Sequence, residues 1–222
     1  MQFALLHSPL VGPTTWRWVA AALRAVGHDA EVPDLRDAAM TGTPEALIAE
    51  AVAAIPPGWS TPIVVGHSGA GFIVPSVAER LGARSARIVF VDAGLPPCEG
   101  QATPSADFLD QLRTLAIEGR LPKWSTWWGE GVMEVLVPAA DRRAELEAEM
   151  PEIPLAFYES PLEVPVGWCE TPGSFLLLSE SYRDDADRAR ALGWPTIEHL
   201  GSHLDIVNDA GAISHELIEL AS

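Results

Sequence analysis

The sequence is poor in basic residues and has no apolar stretch long enough to cross a bilayer. It contains 14 Lys and Arg residues against 31 Asp and Glu residues, which gives a net charge of -17. This charge has the wrong sign for neutralising a phosphate backbone, so no nucleic-acid partner is expected. A transmembrane helix needs about 20 consecutive apolar residues, and no run approaches that length, so no membrane span is expected either.

Cysteine is also scarce, with only Cys98 and Cys169 present. A domain of 222 residues can bury enough apolar surface without a cross-link, so two free thiols are predicted. The N-terminal segment has no basic stretch followed by a long apolar run, so it is interpreted as a core strand and not as a secretory signal. Together these features predict a cytoplasmic protein.

Motifs for phosphates and metals are missing. Lys123, the only lysine, is followed by Trp, so there is no phosphate-loop Gly-Lys-Ser/Thr, and Val74 interrupts any Gly-x-Gly-x-x-Gly pattern. His199 and His203 are four residues apart, but Gly201 between them argues against a helix, and no cysteine pair or carboxylate cluster completes a ligand set. No cofactor and no metal are therefore expected.

What is present is a strong alternation of apolar runs and helical patterns. Apolar residues make up 48% of the chain and charged residues 20%, which suits one folded domain over residues 1–222. Strands are predicted at 3–6, 30–33, 62–66, 88–91, 175–178 and 195–200, with helices at 16–26, 44–55, up to 81, 185–192 and up to 220. This order predicts an α/β fold, with a mainly parallel, doubly wound sheet that has helices on both faces.

The alternation stops between residues 95 and 172, where proline and tryptophan are frequent. We interpret this segment as a cap inserted into the domain. Its large apolar side chains include Trp124, Trp127 and Trp128, which are predicted to bind an apolar acyl or aryl group of a small-molecule substrate. For any single ring, packing of the cap against the sheet is the simpler explanation, so only the cluster supports a pocket.

Ser68 is the candidate nucleophile. Ligands of parallel sheets gather where strands end, and Ser68 follows an apolar strand and opens a helix. A nucleophile on such a tight turn needs small residues two positions before and after it. Of the 14 serines, only Ser68 has Gly or Ala at both positions, namely Gly66 and Ala70. The amide of Gly69, at the positive end of the helix, is the predicted oxyanion donor.

A serine needs a base to take its proton, and six histidines compete for that role. His203 alone lies in the loop that leaves the last predicted strand, so it is the predicted general base. His67 flanks Ser68, where it is expected to support the loop and border the substrate. His7 lies in the loop after the first strand.

The carboxylate that orients the imidazole is less clearly indicated. Asp92 is preferred because it ends the strand predicted to lie beside the nucleophile strand and is followed by two small residues. Glu180 is an alternative near the end of the next strand. The pair Asp184 and Asp185 is a further alternative, although Asp185 also suits a helix cap.

Taken in order, His7-Ser8, the segment Gly66-His67-Ser68-Gly69-Ala70-Gly71, the insertion and Gly201-Ser202-His203-Leu204 resemble the α/β-hydrolase fold superfamily. The resemblance spans essentially the whole chain. It implies a minimal form of that fold with a six-stranded sheet and a cap, and the chain order nucleophile, acid, histidine.

Three positions depart from the superfamily pattern. Pro9 has no amide hydrogen where the second oxyanion donor is often found, which moves that donor to Leu10. Many members place the acid after the penultimate strand, where this chain has Ser179-Glu180-Ser181-Tyr182, and a tyrosine cannot serve as the carboxylate. Ala70 replaces the second glycine of the common turn, which the steric argument tolerates.

The leading hypothesis is a cofactor-free serine hydrolase that cleaves a carboxylic ester of a small or medium apolar molecule through an acyl-enzyme. The same fold also supports lyases, cyclases and carbon-carbon bond hydrolases, which use such groups for proton transfer. A binding module without catalysis is a third hypothesis, because the acid is uncertain and the oxyanion loop is unusual.

Overall fold

A computed structural model describes residues 1–82 and 87–222. Six strands form one sheet: β1 (Gln2–Leu6), β2 (Asp29–Glu31), β3 (Pro62–Ser68), β4 (Arg87–Ala93), β5 (Gly173–Leu177) and β6 (Thr196–Glu198). Their order across the sheet is β6-β5-β4-β3-β1-β2, and every neighbouring pair is parallel. The expected α/β fold class, with a parallel sheet of six strands, is confirmed.

Helices cover both faces of this sheet. In chain order they are α1 (Thr14–Ala25), α2 (Arg36–Met40), α3 (Pro44–Ala54), α4 (Val74–Leu81), α5 (Ala106–Leu115), α6 (Val132–Leu136), α7 (Ala140–Ala148), α8 (Ala156–Glu159), α9 (Arg183–Ala191), α10 (Asp205–Asn208) and α11 (Ala210–Leu220). Within the described ranges, no helix combines the length and the apolar character that a membrane crossing requires.

The sheet has an apolar core on each face, which explains why its central strands are apolar at every position. In β1, Ala4 and Leu6 pack into one buried cluster, whereas Phe3 and Leu5 pack into the other. Because successive side chains of a strand point to opposite faces, a strand covered by helices on both sides needs a continuous apolar run. The predicted strands were recognisable for this reason.

Several element ends differ from the predicted ones. The strand β6 is limited to Thr196–Glu198, and α9 begins at Arg183, two residues before the predicted start. A 3₁₀ turn over Gly69–Ile73 separates β3 from α4. Asp185 therefore lies inside the first turn of α9 and does not cap it; its Oδ1 accepts a hydrogen bond from the Leu95 amide at 2.9 Å.

The segment 95–172, hereafter the insertion, lies between β4 and β5. It contains α5 to α8 and two short antiparallel pairs, Gln101–Ala102 with Leu162–Glu163 and Arg120–Leu121 with Ile153–Pro154. Since β4 and β5 are neighbours in the sheet, the chain leaves and re-enters the sheet at adjacent positions. Its role as a cap stays a prediction.

The prediction of two free thiols is wrong, because Cys98 and Cys169 form a disulfide with a Cα–Cα distance of 5.6 Å. The two cysteines lie at the two ends of the insertion, which the adjacency of β4 and β5 brings together. Nothing in the sequence pointed to this contact, since the partners are 71 positions apart. The predicted cytoplasmic location loses its argument from free thiols and stays untested.

Candidate active site

Ser68 ends β3 in a strained backbone conformation, with φ 56° and ψ -128°. Such a conformation costs about 1–3 kcal/mol in a residue other than glycine. A Cβ at Gly66 would collide with the Val74 side chain and lie 3.3 Å from the Ala70 carbonyl oxygen. The turn therefore requires a glycine two positions before Ser68, where the sequence argument asked only for a small residue, and it places Ser68 at the carboxyl edge of the sheet.

Asp92 reaches the same edge from the neighbouring strand. It also has a positive φ, 42°, and the β3–β4 register shifts there, so that Ser68 pairs with Ala93. A bulge of this kind redirects a side chain. The fully buried carboxylate of Asp92 accepts a hydrogen bond from His203 Nδ1 at 2.6 Å.

Three further hydrogen bonds hold the Asp92 carboxylate. The amides of Leu178 and Ser179 both donate to Oδ1 at 2.9 Å, and the Ser179 hydroxyl donates to Oδ2 at 2.6 Å. Burial alone would raise the pKa of Asp92, but the hydrogen bonds from His203, Ser179 and Leu178 outweigh it and hold the pKa below its usual value. Asp92 is therefore a carboxylate, and His203 Nδ1 is its hydrogen-bond donor, which leaves Nε2 free to accept a proton.

His67 supports His203 from the other side. Its Nε2 donates to the His203 carbonyl oxygen at 3.0 Å, and the two rings are stacked with centroids 4.5 Å apart. Burial, and secondarily the nearby His203, lower the pKa of His67 to about 3, so this ring is neutral. His67 also lines the cavity beside Ser68, but its hydrogen bond positions the loop that carries His203.

His7 contributes to the loop after β1 rather than to the cavity. Its Nδ1 donates to the Ser8 carbonyl at 2.8 Å, and its Nε2 accepts from the Leu35 amide at 3.0 Å. Burial lowers the pKa of His7 to about 4 despite the bond to Ser8. Both ring nitrogens are thus occupied by the backbone.

Tyr182 is a member of the site that sequence reasoning missed. Its hydroxyl lies 3.2 Å from Ser68 Oγ, and its ring stacks on His203 with centroids 5.4 Å apart and an interplanar angle of 14°. Burial raises the pKa of Tyr182 to about 12, so the phenol is neutral. Within the described residues, the Ser68 hydroxyl is hydrogen-bonded to Tyr182 and not to the imidazole. The signal was available, because Tyr182 occupies the turn in which many α/β-hydrolases place their acid.

The alternative carboxylates lie elsewhere. Glu180 is exposed and pairs with Arg183 at 2.7 Å, and Asp184 is exposed as well. Asp185 is bonded to the Leu95 amide at the start of the insertion. Of the four candidate acids, the structure brings only Asp92 to the His203 imidazole.

The loop that follows β1, which is predicted to supply an oxyanion donor, faces the turn at Ser68. Residues 8–11 form a β-turn closed by the Val11 amide and the Ser8 carbonyl at 3.2 Å, with Pro9 at its second position. The amide of Leu10, the predicted second oxyanion donor, donates to Ser8 Oγ at 3.4 Å. Ser8 Oγ would lie 3.2 Å from a Cβ placed on Gly69, so this hydroxyl is next to the first predicted donor.

Two small cavities flank the nucleophile turn. One, of about 20 Å³, is lined by Ser8, Leu10, Val11, His67, Ser68, Trp124, His203 and Leu204. The other, of about 30 Å³, lies against Gly69 and is mainly apolar, with Phe72, Ile73, Phe157, Tyr158 and Leu162 among its walls. Both cavities are far smaller than a usual ligand pocket, which measures about 300–1,000 Å³.

The three predicted tryptophans occupy different environments. Trp124 lines the cavity beside Ser68, with its ring centroid 6.4 Å from that of His203. Trp128 packs edge-on against Trp124 at 6.2 Å and is 40% exposed. The Trp127 indole donates to the Pro122 carbonyl at 2.9 Å, a contact within the insertion. Only Trp124 is therefore in direct contact with the cavity beside Ser68.

The histidine pair considered for a metal is split between two environments. His203 is bonded to Asp92, whereas His199 Nδ1 is 3.0 Å from Glu216 Oε1 and its Nε2 is 3.8 Å from Asp205 Oδ2. Since opposite ring nitrogens of His199 face the two carboxylates, they cannot share one ion with it. Over residues 1–82 and 87–222, no cluster of three His, Cys, Asp or Glu side chains suits a metal ion.

Comparison with characterised sequences gives one relative. The chain is 34% identical over 134 residues to esterase PIR7B of Oryza sativa subsp. japonica, a match that covers 54% of this chain and 47% of the relative. The match thus spans about half the length of that protein. No protein-family model matches the chain.

Similarity to solved structures covers essentially the whole chain. An extracellular α/β-hydrolase from a Paenibacillus species, described as sharing structural and functional homology with tobacco salicylic acid binding protein 2, superposes with a TM-score of 0.79 at 20% identity, over 99% of this chain and 98% of that one. Polyneuridine aldehyde esterase gives 0.75 at 13% identity, over 100% of both chains. Tomato methylketone synthase I, in complex with 2-tridecanone, gives 0.75 at 15% identity, over 99% of this chain and 97% of that one. The chain therefore has the α/β-hydrolase fold.

Proposed function

We propose that the chain is a serine esterase that cleaves a carboxylic ester of a small or medium apolar molecule. The observation that carries this proposal is the hydrogen bond of 2.6 Å between Asp92 and His203 Nδ1, made beside a strained Ser68 at the same sheet edge. Similarity to esterase PIR7B over about half of that protein supports the same reaction class.

In the proposed mechanism, Ser68 Oγ attacks the ester carbonyl carbon while His203 Nε2 takes the serine proton. Asp92 holds the imidazole in the tautomer that can accept this proton and stabilises its charged form. The protonated imidazole then donates its proton to the leaving alkoxide, which leaves Ser68 acylated. Water attacks this acyl-enzyme while His203 takes a proton from it, and the acid is released as the proton passes to Ser68. The Gly69 amide and the loop that carries Leu10 stabilise the oxyanion.

The substrate class follows from the walls of the two cavities. The larger apolar cavity contains Phe72, Phe157 and Tyr158 and borders Gly69, so it suits an apolar acyl or aryl group. Trp124 covers the cavity beside Ser68 and His203. Both cavities are partly built from the insertion, so we propose that the insertion acts as a cap that opens for binding.

Turnover of p-nitrophenyl esters of graded chain length tests the proposal. Ser68→Ala and His203→Ala should each lower kcat by about 10⁴–10⁶. Ser76→Ala is the matched control, because Ser76 is a buried serine in the helix that follows the nucleophile turn, and it should leave turnover unchanged. Equal turnover by the wild type and both site variants would refute the esterase.

One observation favours a second candidate, a lyase or other proton-transfer enzyme on the same fold. The Ser68 hydroxyl is bonded to Tyr182 and not to the imidazole, as expected of a serine that binds substrate without attacking it. A fluorophosphonate distinguishes the two, because an activated Ser68 reacts stoichiometrically, whereas a serine that only binds substrate does not. Absence of labelling and of ester turnover would favour the lyase or a binding module over the esterase.

A further inference from the structure

The loop after β1 cannot supply an oxyanion donor in the usual way. In this loop Pro9 stands where the superfamily often has a backbone N–H, and proline has none. The structure shows what replaces the hydrogen: Pro9 Cδ would lie 3.3 Å from a Cβ on Gly69. Because Cδ takes the place of the amide hydrogen in proline, an N–H at position 9 would lie on the side of the loop that faces Gly69.

The next amide along the loop is already engaged. Leu10 N–H donates to Ser8 Oγ at 3.4 Å, so it points toward a side-chain oxygen and not into open space. The Ser8 carbonyl is bonded to the Val11 amide and to His7 Nδ1. With the amides of Leu10 and Val11 both engaged, the group of this turn that can still donate a hydrogen bond is the Ser8 hydroxyl.

Ser8 Oγ is well placed for the missing donor. The residue is 4% exposed, it lines the cavity together with Ser68 and His203, and its oxygen is next to Gly69. Within the described residues, Ser8 Oγ accepts from Leu10 but has no protein acceptor for its own proton. A hydroxyl can accept and donate at the same time, so this proton is available to a ligand in the cavity.

We propose that Ser8 is a catalytic residue whose hydroxyl serves as the second oxyanion donor, with the Leu10 amide acting through it. This proposal rests on the proposed esterase. As the bond from Ser68 Oγ to the carbonyl carbon forms, the π pair of the carbonyl moves onto its oxygen and the serine proton moves to His203. The Gly69 amide and the Ser8 hydroxyl then donate to that oxygen, and Ser8 transfers no proton. The bond from Leu10 to Ser8 Oγ polarises the hydroxyl and strengthens its donation.

A simpler role for the same hydrogen bond is to stabilise the turn, because serine hydroxyls often bond to the amide two residues on. The two roles make opposite predictions for a second substitution at Pro9. If Ser8 only stabilises the turn, replacing Pro9 removes a second stabilising residue and adds to the damage. If Ser8 supplies a donor, Pro9→Ala restores the backbone N–H and substitutes for the lost hydroxyl.

The experiment compares wild type, Ser8→Ala, Pro9→Ala and the double variant on a p-nitrophenyl ester. Loss of one oxyanion donor typically lowers kcat by about 10²–10³, so Ser8→Ala should lower kcat by about that factor with KM nearly unchanged. The double variant should recover at least tenfold of this loss. The rate of Ser68 labelling by a fluorophosphonate should follow the same order, since its phosphoryl oxygen occupies the oxyanion position.

The controls separate this inference from the proposed function. Thermal unfolding should give nearly equal midpoints for all four proteins, and Ser76→Ala controls for loss of a buried serine hydroxyl. An inactive wild type that does not label would overturn the esterase and this role together. An active wild type with an unchanged Ser8→Ala variant, or a double variant slower than Ser8→Ala, would overturn only the role of Ser8.

Discussion

The carboxyl edge of the sheet and the insertion above it are held in different ways. At the sheet edge, hydrogen bonds between neighbouring elements fix each group, as with the four that converge on Asp92. The two ends of the insertion are tied to each other by the Cys98–Cys169 disulfide, and its first residues are tied to α9 by Arg188, which donates to the Leu95 and Pro96 carbonyls. This difference suggests that the sheet sets the chemistry and that the insertion sets access.

The strongest test on the sheet side is Asp92→Asn. The amide oxygen would keep the hydrogen bonds from the backbone of Leu178 and Ser179, so its NH₂ group would face His203. Nδ1 would then have to accept, and Nε2 would carry the proton and could no longer take one from Ser68. We expect kcat to fall by about 10⁴ while the fold is retained.

The control for Asp92→Asn is Glu180→Gln, which neutralises a rejected alternative acid. Glu180 is exposed and paired with Arg183, so ester turnover should change by less than about twofold. A loss of similar size in both variants would show that the acid was misassigned. The measurement is kcat on one p-nitrophenyl ester, with circular dichroism to confirm folding.

On the insertion side, the largest expected effect follows removal of the disulfide in the double variant Cys98→Ser/Cys169→Ser. Chain-entropy arguments give a loss of about 4 kcal/mol in the free energy of unfolding for a closed loop of this length. Urea denaturation measures the loss. Hydrogen exchange should show that amides of the insertion lose more protection than those of β3 and β4.

Reduction of the wild type is an independent check, because Cys98 is exposed and accessible to a reductant. Dithiothreitol should reproduce the destabilisation of the double variant and have no effect on the double variant itself. If protection falls equally in the sheet and the insertion, the two regions unfold as one unit and the proposed contrast is wrong.

The same contrast explains what the sequence could predict. The central strands of the sheet are continuous apolar runs because both faces are buried, and turn chemistry singled out Ser68. The proximity of Asp92 and His203 followed from parallel strands ending at one edge. The Cys98–Cys169 contact and the position of Tyr182 did not follow, because both depend on where an irregular segment or turn returns to the sheet. No periodic pattern records such contacts.

Acid should affect the sheet side through its buried histidines. His7 and His67 have pKa values lowered to about 4 and about 3, whereas an unfolded histidine titrates near 6.5. Below pH 6.5 the unfolded chain binds protons that the folded chain does not, so stability is complete above that pH and is lost as the pH falls. Linkage gives about 2 kcal/mol per histidine between pH 8 and pH 5.

The variant His7→Gln removes one of these titrating groups while its amide can still donate and accept. The difference in the free energy of unfolding between pH 8 and pH 5, measured with urea, should therefore shrink by about 2 kcal/mol. His28→Gln, on the surface near the N-terminus, is the control and should leave that difference unchanged. An identical pH dependence for His7→Gln and the wild type would contradict the buried neutral imidazole.

The smallest expected effect compares the only two tyrosines, one in each region. Tyr182 bonds to Ser68 Oγ from the sheet edge, whereas Tyr158 belongs to the insertion and lines its apolar cavity. We expect the neutral Tyr182 phenol to donate to Oγ during attack and so to stabilise the negative charge that develops there. A net hydrogen bond contributes about 0.5–1.5 kcal/mol, so Tyr182→Phe should lower kcat and the fluorophosphonate labelling rate by roughly three- to tenfold.

Tyr158→Phe should leave the labelling rate unchanged and shift only KM, because that ring lines the cavity proposed for the substrate and does not touch Ser68. The ratio of the labelling rates of Tyr182→Phe and Tyr158→Phe therefore compares an effect on the nucleophile with an effect on substrate access. The two substitutions are chemically matched. A faster Tyr182→Phe enzyme would mean that the phenol competes with His203 for Ser68 and has to release it before attack. Slower labelling of Tyr158→Phe would mean that the insertion helps to position the nucleophile. The position of Ser68 would then depend on both regions and not on the hydrogen bonds at the sheet edge alone.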